Sequence, residues 1–182
     1  VVSLLLLQIV AAATLEIKKE PIEDVVVTEL AKNAKFNLII KNLGETDSFE
    51  IYTLVGNVDL LPKGFTTIEG GETKTIPLTV IVDEKVRKNY GDYSFAFNIR
   101  GQASEIIEEK LTIKLARFKE SFKISSEDIT LDSSEAVITI ENLENYSFEN
   151  LKVELSSNLV AQTQEVSIKP YENIQIKIPL DK

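Results

Sequence analysis

Residues 141–155 read ENLENYSFENLKVEL, and residues 41–55 read KNLGETDSFEIYTLV. Each stretch closes an alternating apolar run with Asn-Leu, passes through a polar turn, and resumes alternation at Ser-Phe-Glu. The likeness extends in both directions. Leu38 and Ile40 match Ile138 and Ile140, and Asn42-Leu43 matches Asn142-Leu143, each one hundred residues on. Ser48-Phe49-Glu50 matches Ser147-Phe148-Glu149, one residue tighter, and Ile76-Pro77-Leu78 matches Ile178-Pro179-Leu180, two residues looser. Strands kept in phase while turns drift are the mark of a tandem β repeat.

The strands show themselves by period two. Phe36, Leu38 and Ile40 alternate with Lys35, Asn37 and Lys41. Ile76, Leu78, Val80 and Val82 alternate with Thr75, Pro77 and Thr79. Tyr93, Phe95, Phe97 and Ile99 alternate with Ser94, Asn98 and Arg100, and Leu111, Ile113 and Leu115 with Lys110, Thr112 and Lys114. Such alternation buries one face of a strand and leaves the other wet. Asn42-Leu43-Gly44, Pro62-Lys63-Gly64, Gly70-Gly71 and Asn89-Tyr90-Gly91-Asp92 supply the turns. Short strands between such turns make an all-β, antiparallel sandwich. Residues 104–111 leave room for a turn or two of helix.

The expected organisation is an N-terminal hydrophobic segment over residues 1–14, a first sandwich over 15–117, and a second over 118–182. The second is incomplete. After Ile76-Pro77-Leu78 the first unit runs on through strands near 92–100 and 105–116, whereas Leu180 is followed by two residues. The sequence has no Met, so it reads as beginning inside a longer frame or at an unconventional start residue, and the missing strands read as a cut at the other end.

Composition narrows the function. Of the 182 residues, 43 % are hydrophobic and 27 % charged, enough for a real core. The net charge of −9, with both signs interspersed, repels phosphate backbones and argues against a nucleic-acid partner. Lys85, Arg87 and Lys88 form one basic knot, read as a solvated loop. There is no Cys, so packing alone holds the core. Residues 1–13 are apolar except for Ser3 and Gln8. That is short of the roughly 20 residues that span a bilayer. The stretch reads as the core of a secretory signal, with Ala11-Ala12-Ala13 for cleavage. A membrane anchor extended upstream and a buried first element are the other readings. The first two place the chain outside the cytoplasm, secreted or attached to the cell surface.

Within NYGDYSF at 89–95, Tyr93 stands two residues before Phe95, and Gly91 permits a tight entry turn. In immunoglobulin-type domains a Tyr so placed bonds back to the backbone and pins a corner, two residues before a core Cys. Phe95 takes the place of that Cys. Pro77 on an outward face calls for an edge or a bulge, since it donates nothing to a ladder. The runs FNLIIKNLGETDSFEIYT, GGETKTIPLTVIV and GDYSFAFNIR resemble the immunoglobulin-like repeats called CARDB or NEW3. These recur in archaeal and bacterial cell-surface and membrane-anchored proteins, and the Lys-, Glu-, Ile- and Asn-rich composition suits an archaeal source. The resemblance covers residues 30–116 well and 120–180 in part, and it implies no catalytic residues.

Catalytic chemistry finds little footing. Without His and Cys the usual general base, thiolate and zinc ligands are missing. No Ser lies in a G-x-S-x-G elbow. Glu108, Glu109, Glu141 and Glu154 fall at polar strand positions, the ordinary place for a solvated charge. No Asp-rich calcium loop has the required spacing; Asp47, Asp59, Asp83 and Asp92 are the residues a looser site would use. Tyr52, Tyr90, Tyr146 and Tyr171 are candidates for sugar stacking but scatter over different turns. Asn145-Tyr146-Ser147 is an N-glycosylation sequon in the turn after the Asn142 strand. The sequence thus implies no catalytic, cofactor or metal residues. It favours a structural spacer or adhesion module, with a module binding a glycan or a partner protein at a sheet edge as the alternative.

Overall fold

A computed structural model describes residues 14–30, 32–103, 105–130, 132–156 and 161–180. Apart from Thr14, the expected export segment lies outside them. The first half runs β1 (Leu15–Glu23), β2 (Val25–Val27), β3 (Ala34–Asn42), β4 (Asp47–Tyr52), β5 (Val58–Leu61), β6 (Phe65–Ile68), β7 (Thr73–Val82), the short α1 (Glu84–Arg87), β8 (Gly91–Gly101) and β9 (Ile106–Ala116). A four-stranded sheet, ordered β1-β3-β7-β5, faces a five-stranded sheet, ordered β2-β9-β8-β4-β6. All pairings are antiparallel except that of β2 with β9. One strand bridges the sheets on each side. β1 leaves the first sheet at Asp24 and continues as β2 in the second, and β5 crosses to β6 through Pro62-Lys63-Gly64.

The core lies between these sheets and follows the alternation. Phe36, Leu38, Ile40, Ile76, Leu78, Phe95, Phe97 and Ile113 are each at most 4 % exposed. Tyr93 is half-buried and packs on their flank. Pro77 pairs with Asn37 of β3, while β5 covers β7 only over residues 79–82. Pro77 therefore sits where β7 is an edge, as a residue without an N–H must. Residues 106–116 are strand, not helix, because their alternation matches the β8 ladder from Gly91↔Leu115 to Arg100↔Ile106.

The second half contains a 3₁₀ turn (Phe118–Glu120), β10 (Phe122–Ser126), β11 (Glu135–Asn142), β12 (Phe148–Ser156), β13 (Ala161–Ile168) and β14 (Asn173–Pro179). A three-stranded sheet β10-β11-β14 lies against a two-stranded β12-β13 sheet, with Ala136, Ile140, Ile168, Ile176 and Ile178 buried between them. The chain is all-β and mostly antiparallel throughout.

Hydrogen bonds express the internal repeat more strictly than the letters do. Asn42 Nδ2 donates to the carbonyls of Glu45 and Ile68, while its Oδ1 accepts from the Gly44 amide. Asn142 Nδ2 donates to Tyr146 and Lys169, and its Oδ1 accepts from Glu144. The Glu72 carboxylate accepts the Glu69 amide at 2.8 Å, and Glu172 accepts that of Lys169 at 2.8 Å. Gly71, at φ 80°, has its counterpart in Tyr171, at φ 56°.

Two of the sequence matches need correcting. Leu38 pairs with Ile76, and Ile138 with Ile176, so the counterpart of Ile76-Pro77-Leu78 is 176–178, not 178–180. Asp47 pairs with Ile68, and Phe148 with Ile168, so Phe148 takes the ladder place of Asp47 and not of Phe49. A register shift between Phe148 and Leu151, with Asn150 at φ 55°, then puts Leu151 where Phe49 stands. The halves also differ in plan. The chain leaves β4 for β5 in the opposite sheet, whereas β12 pairs with β13 out to Ser156↔Ala161.

Candidate functional site: the joint between the halves

The run Val25-Val26-Val27 shows how the halves meet. All three residues are buried, though a strand buried on one face only would alternate. Val26 points into the first core, and Val25 and Val27 point into a separate cluster with Ala116, Tyr146 and Phe148. β2 is thus shared by two cores. Leu30, Phe118, Phe122 and Leu151 complete the second cluster. Its aromatic rings pack edge-on or tilted, with Phe148 centred 4.5 Å from Phe122, 4.7 Å from Tyr146 and 5.9 Å from Phe118. Such pairs add about 0.5–1.5 kcal/mol each beyond their area.

A polar rim surrounds this centre and crosses from one half to the other. Both carboxylate oxygens of the buried Glu144 take Lys114 Nζ, at 2.7 and 2.9 Å. Burial alone lowers the Lys114 pKa, but the hydrogen bond and charge of Glu144 outweigh it and hold the ammonium above its usual range. Asn145 Nδ2 donates to Asp24 at 2.9 Å, the Ser147 amide to Glu23 at 3.3 Å, and the Phe118 amide to Glu29 at 2.9 Å. Burial pushes Glu23 up, yet the Ser147 amide and Lys35 together hold it below the ordinary 4.5. Glu29 is lowered chiefly by the Phe118 amide. Lys32 stands over the Tyr146 ring, 5.1 Å from its centre.

Tyr146 is 1 % exposed, and its hydroxyl has no hydrogen-bond partner among the described residues. Burial, then the charges of Glu23 and Glu149, push its pKa up to about 12. The phenol therefore stays neutral and serves as apolar volume.

The structure distributes the sequence candidates as follows. Asn145 is half-buried in the joint. The Tyr93 ring lies 6.2 Å from that of Phe95 and packs on the flank of the first core. Asp47 accepts the amides of Ser48, Gln102 and Ala103; Asp59 pairs with Lys63; Asp83 caps α1 at Val86. Asp92 stands exposed. Among the described residues no three acidic side chains gather as a metal site. Glu109, Glu141 and Glu154 pair with Lys19, Lys123 and Lys152 at the surface, and Glu108 is exposed.

Arg87 is not the solvated charge expected of its loop. Its guanidinium donates to the carbonyls of Val82 and Leu30 and to Asn33 Oδ1, tying the β2–β3 connection to the end of β7. Tyr52 lies beneath Arg100. Tyr90 and Tyr171, 60 % and 68 % exposed, come from opposite halves; Arg117 stands over the Tyr90 ring, and the Tyr171 amide donates to the Glu144 carbonyl. The joint was hidden in the sequence, because its polar partners are 30 to 124 residues apart and share no local pattern. One signal was present: three consecutive buried-type valines in a chain that elsewhere alternates.

No helix among the described residues is long and apolar enough to cross a membrane. No family model and no curated protein matches the chain. Among solved structures, a Porphyromonas gingivalis protein of unknown function is similar at 14 % identity and a TM-score of 0.41, over 92 % of this chain and 83 % of that one. Red sea bream transglutaminase is similar at 10 % identity and 0.40, over 93 % of this chain but only 28 % of its own. The Pseudomonas aeruginosa CupB2 chaperone is similar at 13 % and 0.36, over 91 % and 88 %. These likenesses are of β architecture and carry no argument about activity.

Proposed function

We propose that this chain is a non-catalytic extracytoplasmic spacer or adhesion module, built of two immunoglobulin-like units over residues 15–117 and 118–182. The joint carries the reading. A spacer transmits position only if its units do not swing, and here one strand, β2, serves two cores while five polar contacts ring the seam. The carboxylates with displaced pKa values support it as well. Glu23 and Glu29 are lowered by amides and cations, the opposite of the raised carboxyl that a general acid needs. The apolar residues 1–13 support export or anchoring, and CARDB- or NEW3-type surface repeats remain the family resemblance. Glycosylation at Asn145 belongs to the same proposal. A glycosylated amide keeps one N–H, enough for the bond to Asp24. The test is a reporter fused behind the whole chain. Recovery outside the cytoplasm supports the proposal, and retention inside defeats it.

A second reading has its own observation. Tyr90 and Tyr171 are exposed, one from each half, and the Tyr171 amide donates to the carbonyl of Glu144, the partner of Lys114; exposed aromatic rings beside the joint are the surface on which a sugar would stack. Loss of glycan binding in Tyr90→Ala and Tyr171→Ala, with the fold intact, would favour it over the spacer.

A further inference from the structure

We infer that the cleft between α1 and the end of β2 binds an acidic sugar, one carrying a carboxylate on its ring. The inference rests on the second reading above and supplies the class of glycan. Three stretches of the chain enclose a space of about 580 Å³: residues 28–30 after β2, α1 with Lys88 and Asn89 behind it, and Arg117. Small-molecule sites commonly measure about 300–1,000 Å³. In a chain of net charge −9, this cleft presents three cations, Arg87, Lys88 and Arg117, against two carboxylates, Glu29 and Glu84. Arg87 is the fixed member. It is half-buried, and its bonds to Val82, Leu30 and Asn33 use three of the five N–H groups of a guanidinium. Among the described residues, one N–H on each terminal nitrogen is left uncommitted, and it is held in place before a ligand arrives. Lys88 and Arg117 are exposed beside it. Arg117 meets Glu120 at 3.3 Å, a surface pair of the kind that adds little and yields to a better acceptor.

The mixture of charges selects the ligand. A phosphate or sulfate group, with acceptors alone to offer, would meet Glu29 and Glu84 as well as the cations. A neutral sugar would leave the cations without a counter-charge. A sugar with a carboxylate on its ring suits both, because its carboxylate lies on the cations while its hydroxyls donate to the two glutamates. Guanidinium groups match the plane and spacing of a carboxylate. Glu84 is exposed. Glu29 accepts the Thr28 hydroxyl at 2.7 Å and the Phe118 amide at 2.9 Å, and a carboxylate takes about four donors in all. Tyr90 follows Asn89 of the cleft wall. Arg117 stands over its ring, and 60 % of the residue is still exposed, enough for a sugar ring to stack.

Isothermal titration calorimetry on the full chain at low salt tests this with three probes: trigalacturonic acid, its fully methyl-esterified form, which has no carboxylate, and inorganic sulfate. The acid should bind with a Kd of about 1 mM or tighter, and the ester and sulfate about ten-fold more weakly or worse. Lys88→Gln and Arg117→Gln should each weaken the acid about ten-fold, the effect of losing one hydrogen bond to a charged group. Lys63→Gln, at an exposed lysine outside the cleft, should change nothing. All three side chains are exposed, and unchanged circular dichroism will confirm the fold. An ester that binds as tightly as the acid overturns the inference and leaves the glycan reading standing. Failure of both sugars to bind overturns the two together. Sulfate bound as tightly as the acid, or acid binding indifferent to Lys88→Gln and Arg117→Gln, also overturns the inference.

Discussion

Replacing Asn42 by Ala removes the side chain that closes the turn from β3 to β4. Asn42 is 1 % exposed and makes three hydrogen bonds, at 2.6 Å to the Glu45 carbonyl, 3.0 Å to that of Ile68 and 3.0 Å from the Gly44 amide. Alanine leaves all three backbone groups without their partner. A buried group so orphaned costs about 1–3 kcal/mol. Only the Ile68 contact is fully buried, and water can reach the other two in part, so the expected loss is about 3–4 kcal/mol in all. Against a domain stability of about 5–15 kcal/mol, that is a large fraction. Asn42→Asp is the sharper control. It keeps the acceptor for Gly44 but turns a carboxylate towards two carbonyls, so it should cost at least as much as Ala. Urea unfolding followed by far-ultraviolet circular dichroism gives both values. A loss under about 1 kcal/mol for Ala, or an Asp variant more stable than the Ala variant, refutes the reasoning. Asn142→Ala should reproduce the effect in the second half, read by hydrogen exchange there.

Other consequences are open to measurement. Phe148→Ala, at a site 2 % exposed among three rings, should cost about 3–5 kcal/mol and open the joint to limited proteolysis. Gly91 adopts φ 95° with open space around it, so Gly91→Ala meets only backbone strain and should cost about 1–2 kcal/mol in thermal unfolding. Glu23 is held below 4.5 in the folded chain, so its contribution is complete above that pH and fades as pH falls through the lowered value. Glu23→Gln should therefore be less stable than the native chain at neutral pH, with the gap in melting temperature closing in acid. A gap that widens in acid would contradict this assignment.

The fold was legible because alternation names the buried face of each strand, as Phe36, Leu38 and Ile40 show. The duplicated Asn-Leu turn was legible because its Asn closes the same hydrogen bonds in both halves. Alternation also explains the misreading of Ile178-Pro179-Leu180. A shift of two residues keeps every side chain on its own face, so composition cannot tell 176–178 from 178–180. Only the ladder, through Ile138↔Ile176, decides it. The match at Ser147-Phe148-Glu149 failed for another reason. The chain bulges at Asn150, where Phe148 has moved out of the Phe49 position to serve the joint. Tyr146 looked like a surface residue of a sequon, and only the first half, packed over it, makes it core. Arg87 looked solvated because its acceptors at Leu30 and Asn33 are more than 50 residues away.

The central claim is that the two halves move as one body about a packed joint. The chain has no native cysteine, so spin labels can be placed cleanly through Lys63→Cys on the first half and Lys177→Cys on the second, both at exposed side chains. Electron–electron double resonance then reads the distribution of distances between them. A single narrow distribution, broadened by Phe148→Ala, is the predicted result. A distribution already broad in the native chain and unchanged by Phe148→Ala would contradict the account.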